Sequence, residues 1–269
     1  MSEPRAAAFF DLDRTIIGGS SVFVFGWVAY RDGLVPTSQL VKDAVNAVAF
    51  TFSGASDDKT EAVKTRILEA IEGVPVSTLI GLADEIIPRL LDDVRREARG
   101  LIDLHTAAGR DTYIVSASPV EIVARFAEAM EMTGGLGTVA EVDDGVYTGR
   151  LARPFCYGEG KAIAIRRLAQ EKGYDLTLSY AYTDSAGDLP MLDIVGHPVA
   201  VNPDRPLEAT AYHRGWPIVE FSRTRKKVVK RTTAAVGAVG LAAVTYGLGI
   251  SQGKRQERRS SPLSRMSGR

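Results

Sequence analysis

Residues 6–19 read AAAFFDLDRTIIGG, a short apolar run followed by two closely spaced aspartates and a pair of glycines. The length and composition of the run Ala6–Phe10 indicate a buried strand, and the glycine pair Gly18–Gly19 indicates a break in the chain. Asp11 and Asp13 therefore follow directly on a predicted strand, where both carboxylates can face one crevice. The Asp-x-Asp pattern is unspecific by itself, because it also occurs in many loops.

Beyond residue 100 the sequence alternates between strand and helix patterns. The predicted strands cover residues 112–115, 178–183, 198–201 and 218–221, and a predicted hairpin pairs residues 138–142 with 146–151. One helix is expected to begin at Pro119 with Ser118 as its N-cap, and another to run from Lys161 to Lys172. Strands that alternate with helices are typical of a mostly parallel sheet covered on both faces. The predicted fold class is α/β with a Rossmann-like core.

The segment from Ser20 to about Gly100 has a different pattern. Apolar residues recur there at helical spacing, as in Val63, Ile67 and Ile71, and no strand alternation is evident. We therefore predict an all-helical cap inserted after the first strand. The predicted domains are a catalytic core of residues 1–17 and 101–222, a helical cap of residues 18–100, and a basic and hydrophobic C-terminal tail of residues 223–269.

The tail places an uncharged segment between basic clusters. Six basic residues lie from Arg223 to Arg231, and the segment Thr232–Ser251 carries no charge over about 20 residues, the length that spans a bilayer. Four glycines and many alanines make this segment only mildly apolar. Three interpretations stay open: a membrane anchor, a segment drawn to the membrane surface by its basic flanks, and a flexible tail.

The composition of the whole chain narrows the classes of function. Of the 269 residues, 45% are hydrophobic and 25% are charged, as in soluble globular proteins, and 33 Lys and Arg balance 33 Asp and Glu. Because no overall charge draws the chain to nucleic acid, no specific nucleic-acid partner is expected. The single cysteine excludes an internal disulfide and a cysteine-rich metal site. With no signal-peptide pattern at the N-terminus, we expect a cytoplasmic catalytic domain that the tail could anchor to a membrane.

Four distant segments carry side chains that suit phosphoryl chemistry. They are Asp11 with Asp13, Ser116, Lys161, and Asp184 with Asp188. All except Lys161, which opens a helix, lie at or near the carboxyl end of a predicted strand, where open α/β sheets bind ligands. Mg²⁺ prefers one or two carboxylates together with water and phosphate oxygens, and a lysine and a serine can hold a phosphoryl group. One aspartate can attack phosphorus while another protonates the leaving oxygen and later activates water.

In this order, the segments Asp11–Thr15, Ser116, Lys161 and Asp184–Asp188 resemble the four motifs of the haloacid dehalogenase superfamily. The helical insert after the first motif and the sequence Glu159–Ala162 resemble its phosphoserine phosphatase-like branch, subfamily IB. The resemblance covers about residues 6–221. It implies a Mg²⁺-dependent phosphatase that hydrolyses a small-molecule phosphomonoester through an aspartyl-phosphate.

The resemblance implies a role for each motif residue. Asp11 would be the nucleophile, and Asp13 the general acid and base whose backbone carbonyl also meets Mg²⁺. Ser116 and Lys161 would bind the phosphoryl group. The implied metal set is Asp11, Asp13, Asp184 and Asp188, the last standing behind the direct ligands. An aspartate two residues after the nucleophile favours phosphatase over dehalogenase activity, because it can shuttle the proton that ester hydrolysis requires.

The sequence departs from phosphoserine phosphatases where the substrate is recognised. In those enzymes an acidic residue seven positions after the second aspartate of the first motif holds the substrate ammonium, and here that position is Ser20. Because its hydroxyl is neutral, Ser20 lacks the charge-assisted contact with the ammonium, which is worth roughly 1.5–3 kcal/mol. Arg66 falls near the cap arginine that binds the substrate carboxylate, although a solvated helix face explains it equally well. The apolar segment Ser21–Tyr30 serves cap packing or lines the active site, and we expect a substrate other than L-phosphoserine, more apolar in character.

Other functions stay open at this point. The aspartyl-phosphate could be handed to an alcohol by a membrane-tethered phosphotransferase, or the substrate could be a lipid phosphate. A non-catalytic regulatory protein could also retain the scaffold. Such a protein would tolerate the loss of a motif residue, and all four motifs are complete.

Overall fold

A six-stranded sheet lies at the centre of the part of the chain that the structure describes. The structure is a computed structural model, and it describes residues 5–21 and 71–221 together with residues 24, 25, 28, 61, 64, 65 and 67–69. The strands of the central sheet are β1 (Ala7–Asp11), β2 (Asp111–Pro119), β3 (Gly134–Thr138), β6 (Tyr180–Thr183), β7 (His197–Val201) and β8 (Ile218–Val219). Their order is β3-β2-β1-β6-β7-β8, and every neighbouring pair is parallel. The predicted parallel α/β sheet is confirmed.

A separate hairpin joins β4 (Ala140–Asp143) to the antiparallel strand β5 (Val146–Leu151). The two residues between them, Asp144 and Gly145, have φ angles of 48° and 78°. Two successive positive φ angles are the hallmark of the tight hairpin turn that Asp-Gly favours. The hairpin predicted from this dipeptide is confirmed.

Six α-helices lie between residues 76 and 214. They are α1 (Val76–Asp92), α2 (Arg96–Ala107), α3 (Val120–Ala129), α4 (Glu159–Lys172), α5 (Leu189–Leu192) and α6 (Arg205–Arg214). Helix α4 ends at Gly173, as predicted, and begins two residues before Lys161. The prediction that Ser118 is the N-cap of α3 is wrong, because β2 continues through Pro119, which pairs with Thr138 in β3.

The two faces of the sheet are covered by different helices. Along β1, Ala8 and Phe10 join the apolar core that contains buried residues of α1, α2 and α3. Ala7 and Phe9 join the core that contains residues of α4, α5 and α6. All five residues of β1 are buried. A strand buried on both faces has no polar side to expose, which explains the unbroken apolar run before Asp11.

The register of the sheet places three of the predicted site residues at one edge. Asp11, the last residue of β1, pairs with Val115 of β2, so Ser116 follows one residue later on the neighbouring strand. On the other side of β1, strand β6 ends at Thr183, and Asp184 follows directly. Because these strands are parallel, their carboxyl ends meet where open α/β sheets bind ligands.

The inserted segment leaves and re-enters the sheet region at one place. Ile17 and Val94 form an antiparallel bridge, and the Gly18 amide donates a 2.9 Å hydrogen bond to the Asp93 carbonyl. Residues 76–92 within the segment form α1. The predicted boundary at residue 100 falls inside α2, and the division into core, cap and tail stays a prediction.

The predicted tail, residues 223–269, lies outside the described residues, which belong to a unit ending at Phe221. Within the described part of the chain, no helix is both long and apolar enough to cross a bilayer. The three interpretations of the segment Thr232–Ser251 therefore stay predictions.

Candidate active site

The loop after β1 turns back on itself directly after Asp11. The amide of Ile17 donates to the Leu12 carbonyl at 3.1 Å, and that of Arg14 donates to the Gly19 carbonyl at 3.0 Å. Arg14 has a φ of 62°, in the left-handed region, which costs a residue with a side chain roughly 1–2 kcal/mol. The turn thus brings the first motif, the glycine pair and the start of the insert together at the end of β1.

Lys161 is the centre of a buried ionic cluster. Its Nζ lies 2.5 Å from Oδ1 of Asp11 and 2.8 Å from Oδ2 of Asp188. The same oxygen of Asp188 accepts a 2.7 Å hydrogen bond from the hydroxyl of Thr183. Lys161, Asp11 and Asp188 are 3%, 7% and 3% exposed. Residues from the first, third and fourth motifs are therefore in direct contact, at a site that water barely reaches.

Gly160 allows Lys161 to reach this cluster from the first turn of α4. A Cβ atom at Gly160 would lie 1.7 Å from the carbonyl oxygen of Phe155. Any side chain at this position would push the helix start away from the preceding loop. The close approach of that loop therefore explains the glycine immediately before Lys161.

The carboxyl groups of the site outnumber its cations. Burial raises the pKa of Asp11 to about 7, because the charges of Asp188 and Asp13 add to the effect of burial and Lys161 only partly offsets it. Burial also raises the pKa of Asp184 to about 8, with Asp11 adding to the shift and Arg14 opposing it. A further cation beside these carboxyl groups would stabilise their ionised forms and lower their raised pKa values.

The pKa of Lys161 is also raised, which for a lysine favours the charged form. Burial alone would lower its pKa, but the negative charges of Asp11 and Asp188 outweigh burial and raise the pKa above its usual value. The ammonium group is therefore charged throughout the physiological pH range. It supplies a fixed positive charge beside the carboxylate of Asp11.

The oxygen donors of the site fit a magnesium ion. Within the described residues, no three His, Cys, Asp or Glu side chains form a ready-made metal cage. Two cations lie among the carboxylates of the site: Lys161 contacts Asp11 and Asp188, and Nε of Arg14 lies 2.6 Å from Oδ2 of Asp184. Magnesium needs no such cage, because it takes one or two carboxylates and completes its shell with water and phosphate oxygens. Asp11 and Asp184 could supply those carboxylates.

Ser116 lies at the end of β2, beside Asp11 in the sheet register, and it is 1% exposed. Its Oγ accepts a 3.2 Å hydrogen bond from the amide of Ser118. Of the two residues predicted to read the substrate, Ser20 is partly buried and directly precedes Ser21, whereas Arg66 lies outside the described residues.

Ser21 and Ser118 are site residues that the sequence did not reveal. Ser21 donates to Asp13 twice, from its amide to Oδ1 and from its hydroxyl to Oδ2 at 3.1 Å. Burial raises the pKa of Asp13, and these two bonds from Ser21 oppose the shift. The hydroxyl oxygens of Ser21 and Ser118 are 2.9 Å apart. Because 97 residues separate them, no local pattern could have predicted this contact.

Asp204 is a third residue that the sequence analysis missed. Its carboxylate accepts hydrogen bonds from the amide of Ala186 at 3.1 Å, the hydroxyl of Ser185 at 3.3 Å and the amide of Leu207 at 2.9 Å. Its own amide donates to the carbonyl of Asp184 at 2.8 Å. An aspartate before a helix is a recognisable N-cap signal. The bonds to the loop between Asp184 and Asp188 could not be read from the sequence.

Comparison with known proteins supports a hydrolase family. Residues 8–193 match the haloacid dehalogenase-like hydrolase family. A Mycobacterium tuberculosis protein named as a probable phosphatase is 43% identical over 256 residues, which cover 91% of this chain and 89% of that protein. A second protein of that organism, named as a phosphoserine phosphatase, is 38% identical over 246 residues, which cover 87% of this chain and 78% of that protein. A Bordetella pertussis crystal structure of unknown function has a TM-score of 0.71 and 25% identity, covering 80% of this chain and 98% of that one.

Proposed function

We propose that the chain is a Mg²⁺-dependent phosphatase that acts on a small-molecule phosphomonoester through an aspartyl-phosphate. The proposal starts from its family: the chain belongs to the haloacid dehalogenase-like hydrolases and is a phosphoric monoester hydrolase. The contact that carries the proposal is the buried one between Lys161 and Asp11. A lysine in this position supports a nucleophilic carboxylate and can bind phosphoryl oxygens.

Asp11 is the nucleophile in the first step. Lys161 contacts its Oδ1 and favours the ionised carboxylate against the effect of burial, so Oδ2 can attack phosphorus. Ser116 and Lys161 bind the phosphoryl oxygens and stabilise the charge that builds on them. The bond between Asp11 and phosphorus forms, the bond to the ester oxygen breaks, and Asp13 gives its proton to that oxygen.

Asp13 acts again in the second step, now as a base. It takes a proton from water, whose oxygen attacks phosphorus and breaks the bond to Asp11. Inorganic phosphate then leaves, and both aspartates return to their starting states. Asp11, the backbone carbonyl of Asp13 and Asp184 would hold magnesium, which would neutralise charge on the phosphoryl oxygens. Asp188 is not a direct ligand in this proposal. It accepts a hydrogen bond from Lys161 and holds that side chain in place.

The proposal is tested by trapping the covalent intermediate. Protein mixed with substrate and Mg²⁺ is quenched in acid, and mass spectrometry locates the phosphoryl group. We expect it on Asp11, with no phosphorylated species in the Asp11→Asn variant. Chelation with EDTA should stop phosphate release and added Mg²⁺ should restore it. Phosphate release at full rate in EDTA, or a phosphoryl group on another residue, would contradict the mechanism.

The substrate that we propose is a phosphomonoester other than L-phosphoserine, more apolar in character. Ser20 provides no negative charge at the position expected to hold a substrate ammonium. One relative reported above is named as a phosphoserine phosphatase, so L-phosphoserine is the decisive competitor in any assay. A panel of phosphorylated metabolites and lysophospholipids should give a higher kcat/KM for another ester. If L-phosphoserine gave by far the highest value, this part of the proposal would be wrong.

Membrane contact through residues 223–269 is the remaining part of the proposal. Fractionation of the full chain against a chain ending at Phe221 separates the three interpretations. An anchor keeps the full chain in the membrane fraction through high salt, whereas a surface-bound segment is released by salt. If both chains stay in the soluble fraction, neither kind of membrane contact is present.

A further inference from the structure

We propose that Ser21 and Ser118 are positioning residues that hold the carboxylate of Asp13 for proton transfer to the leaving group. The inference rests on the proposed function, because it concerns the residue that acts there as general acid and base. Neither serine is in the contact described between Lys161, Asp11 and Asp188. Both act through Asp13.

Ser21 engages both oxygens of the Asp13 carboxylate. Its amide donates to Oδ1, and its hydroxyl donates to Oδ2 at 3.1 Å. Two donors from one residue oppose rotation of the carboxylate about its last torsion. Ser21 is 1% exposed, so water competes little for either bond. The orientation of Asp13 is therefore set by a residue that is itself held by packing.

Ser118 completes the arrangement from the other side. A hydroxyl has one hydrogen to donate, and that of Ser21 points to Asp13. The 2.9 Å contact between the two hydroxyls is then a bond donated by Ser118 to the oxygen of Ser21. The hydrogens of this chain run from Ser118 through Ser21 to Asp13. The Ser21 hydroxyl can donate to a lone pair of Oδ2 in both the acid and the base form of Asp13, which leaves the transferable proton of the acid form free to face the leaving group.

The two serines come from different parts of the chain. Ser118 belongs to β2, and its amide donates to Oγ of Ser116, the predicted phosphoryl-binding serine. Ser21 lies just beyond the glycine pair through which the inserted segment begins. The chain of hydroxyls therefore connects Asp13 with the strand end that carries Ser116. A fixed distance between the proton donor and the phosphoryl group follows from this connection.

The test compares two substrates that differ in their need for a proton. An alkyl phosphate, the best of the substrate panel, has a poor leaving group that must be protonated, whereas p-nitrophenyl phosphate releases a stable anion. The measured quantity is kcat/KM, which includes the steps up to formation of the phosphoenzyme and excludes its hydrolysis. We expect Ser21→Ala to lower kcat/KM for the alkyl phosphate about tenfold or more and for p-nitrophenyl phosphate less than about threefold.

Ser118→Ala should show the same selectivity with a smaller loss, because the direct bonds from Ser21 to Asp13 remain. The double variant should lose little more than Ser21→Ala alone, since both changes act through one carboxylate. Should Ser21→Ala fail to fold, as judged by circular dichroism, Ser118→Ala carries the same test.

Ser179→Ala is the matched control. Ser179 is a fully buried serine at the opposite edge of the sheet, where its hydroxyl accepts from the Ala7 amide at 3.1 Å and donates to the Asp175 carbonyl at 2.7 Å. This control should change both substrates by the same factor. Equal losses for the two substrates in the Ser21 and Ser118 variants would overturn the inference while leaving the proposed function intact. A wild-type protein that hydrolyses neither substrate would instead overturn the proposed function.

Discussion

The guanidinium of Arg14 contacts the carboxylate of Asp184, with 2.6 Å between Nε and Oδ2. A cation from the first motif thus neutralises an aspartate of the fourth motif, where the proposed function places a magnesium ligand. The Asp184 side chain is 6% exposed and that of Arg14 is 29% exposed, so the guanidinium reaches inward from the rim of the site. If Asp184 binds magnesium as proposed, Arg14 would compete with the ion for this carboxylate.

Removal of Arg14 should therefore strengthen magnesium binding. We expect Arg14→Ala to bind Mg²⁺ about tenfold more tightly than the wild type, a gain of about 1.4 kcal/mol, when titrated by calorimetry without substrate. Arg214→Ala, which removes an exposed partner of Asp193, should leave the affinity unchanged. Weaker Mg²⁺ binding in the Arg14 variant would mean that the guanidinium supports the metal site.

Asp11→Asn should abolish turnover and yet stabilise the metal-free protein at alkaline pH. The pKa of Asp11 rises from 3.8 to about 7 on folding, so the folded state binds more protons than the unfolded state between these values. Stability is then present below pH 4 and declines as pH rises through 7. The Asp11→Asn variant has no carboxyl group at this position and so avoids the loss of stability at high pH. We expect its thermal midpoint at pH 8 in EDTA to exceed that of the wild type by a few degrees, roughly 1–2 kcal/mol.

The two proteins should have similar thermal midpoints near pH 4, where Asp11 is largely protonated in the folded state. A wild type that is more stable than Asp11→Asn at every pH would show that the pair with Lys161 fully compensates the burial of Asp11.

His105 should make the protein sensitive to acid. Its Nδ1 accepts from Nε of Arg110 at 2.7 Å, so its hydrogen lies on Nε2, which is 2.7 Å from the hydroxyl of Tyr182. Burial and then the positive charge of Arg110 lower the pKa of His105 to about 4. Between pH 6.5 and 4 the unfolded state binds more protons, so stability is lost as pH falls through this window, by up to roughly 3 kcal/mol.

A His105→Gln variant should lose less stability than the wild type between these pH values, as followed by thermal melts. His213→Asn alters an exposed histidine and serves as the control. An unchanged pH dependence in the His105 variant would exclude this residue as the origin of the acid sensitivity.

Asp204→Ala should weaken magnesium binding as well as stability. The variant loses the N-cap of α6, worth about 1–2 kcal/mol, and also the bonds that hold the loop carrying Asp184. Calorimetry should show a several-fold loss of Mg²⁺ affinity. Asp175→Ala removes the N-cap of a short 3₁₀ helix, Leu176–Leu178, which precedes β6 at the opposite edge of the sheet, and should reduce stability alone. Equal Mg²⁺ affinities in the two variants would restrict Asp204 to a structural role.

The strongest local signals in the sequence predicted the fold well. The apolar run before Asp11, the Asp144–Gly145 turn and the helix closed by Gly173 each depend on neighbouring residues, and the structure contains all three. The meeting of Asp11 with Lys161 was expected from the resemblance of the four motifs alone, because Lys161 lies in a helix and the strand-end argument does not apply to it.

Contacts between side chains that are distant in sequence were not predictable in this way. The hydroxyl contact of Ser21 with Ser118 depends on where the insert begins relative to β2, which no local pattern encodes. The same limit explains the N-cap error at Ser118. Its sequence resembles a helix start, but pairing of Pro119 with Thr138 extends the strand by tertiary contact.

The bridge between Ile17 and Val94 places the two chain ends of the inserted segment side by side at the sheet. A replacement for this segment would connect at these two chain ends and leave the strand order untouched, and it would also have to supply the apolar face that α1 contributes to the core. Ser21 lies near the first of these two chain ends, and its hydroxyl donates a hydrogen bond to Asp13. A replacement segment designed to accept a different ester must therefore keep this serine, because its loss would disturb the proposed proton donor Asp13.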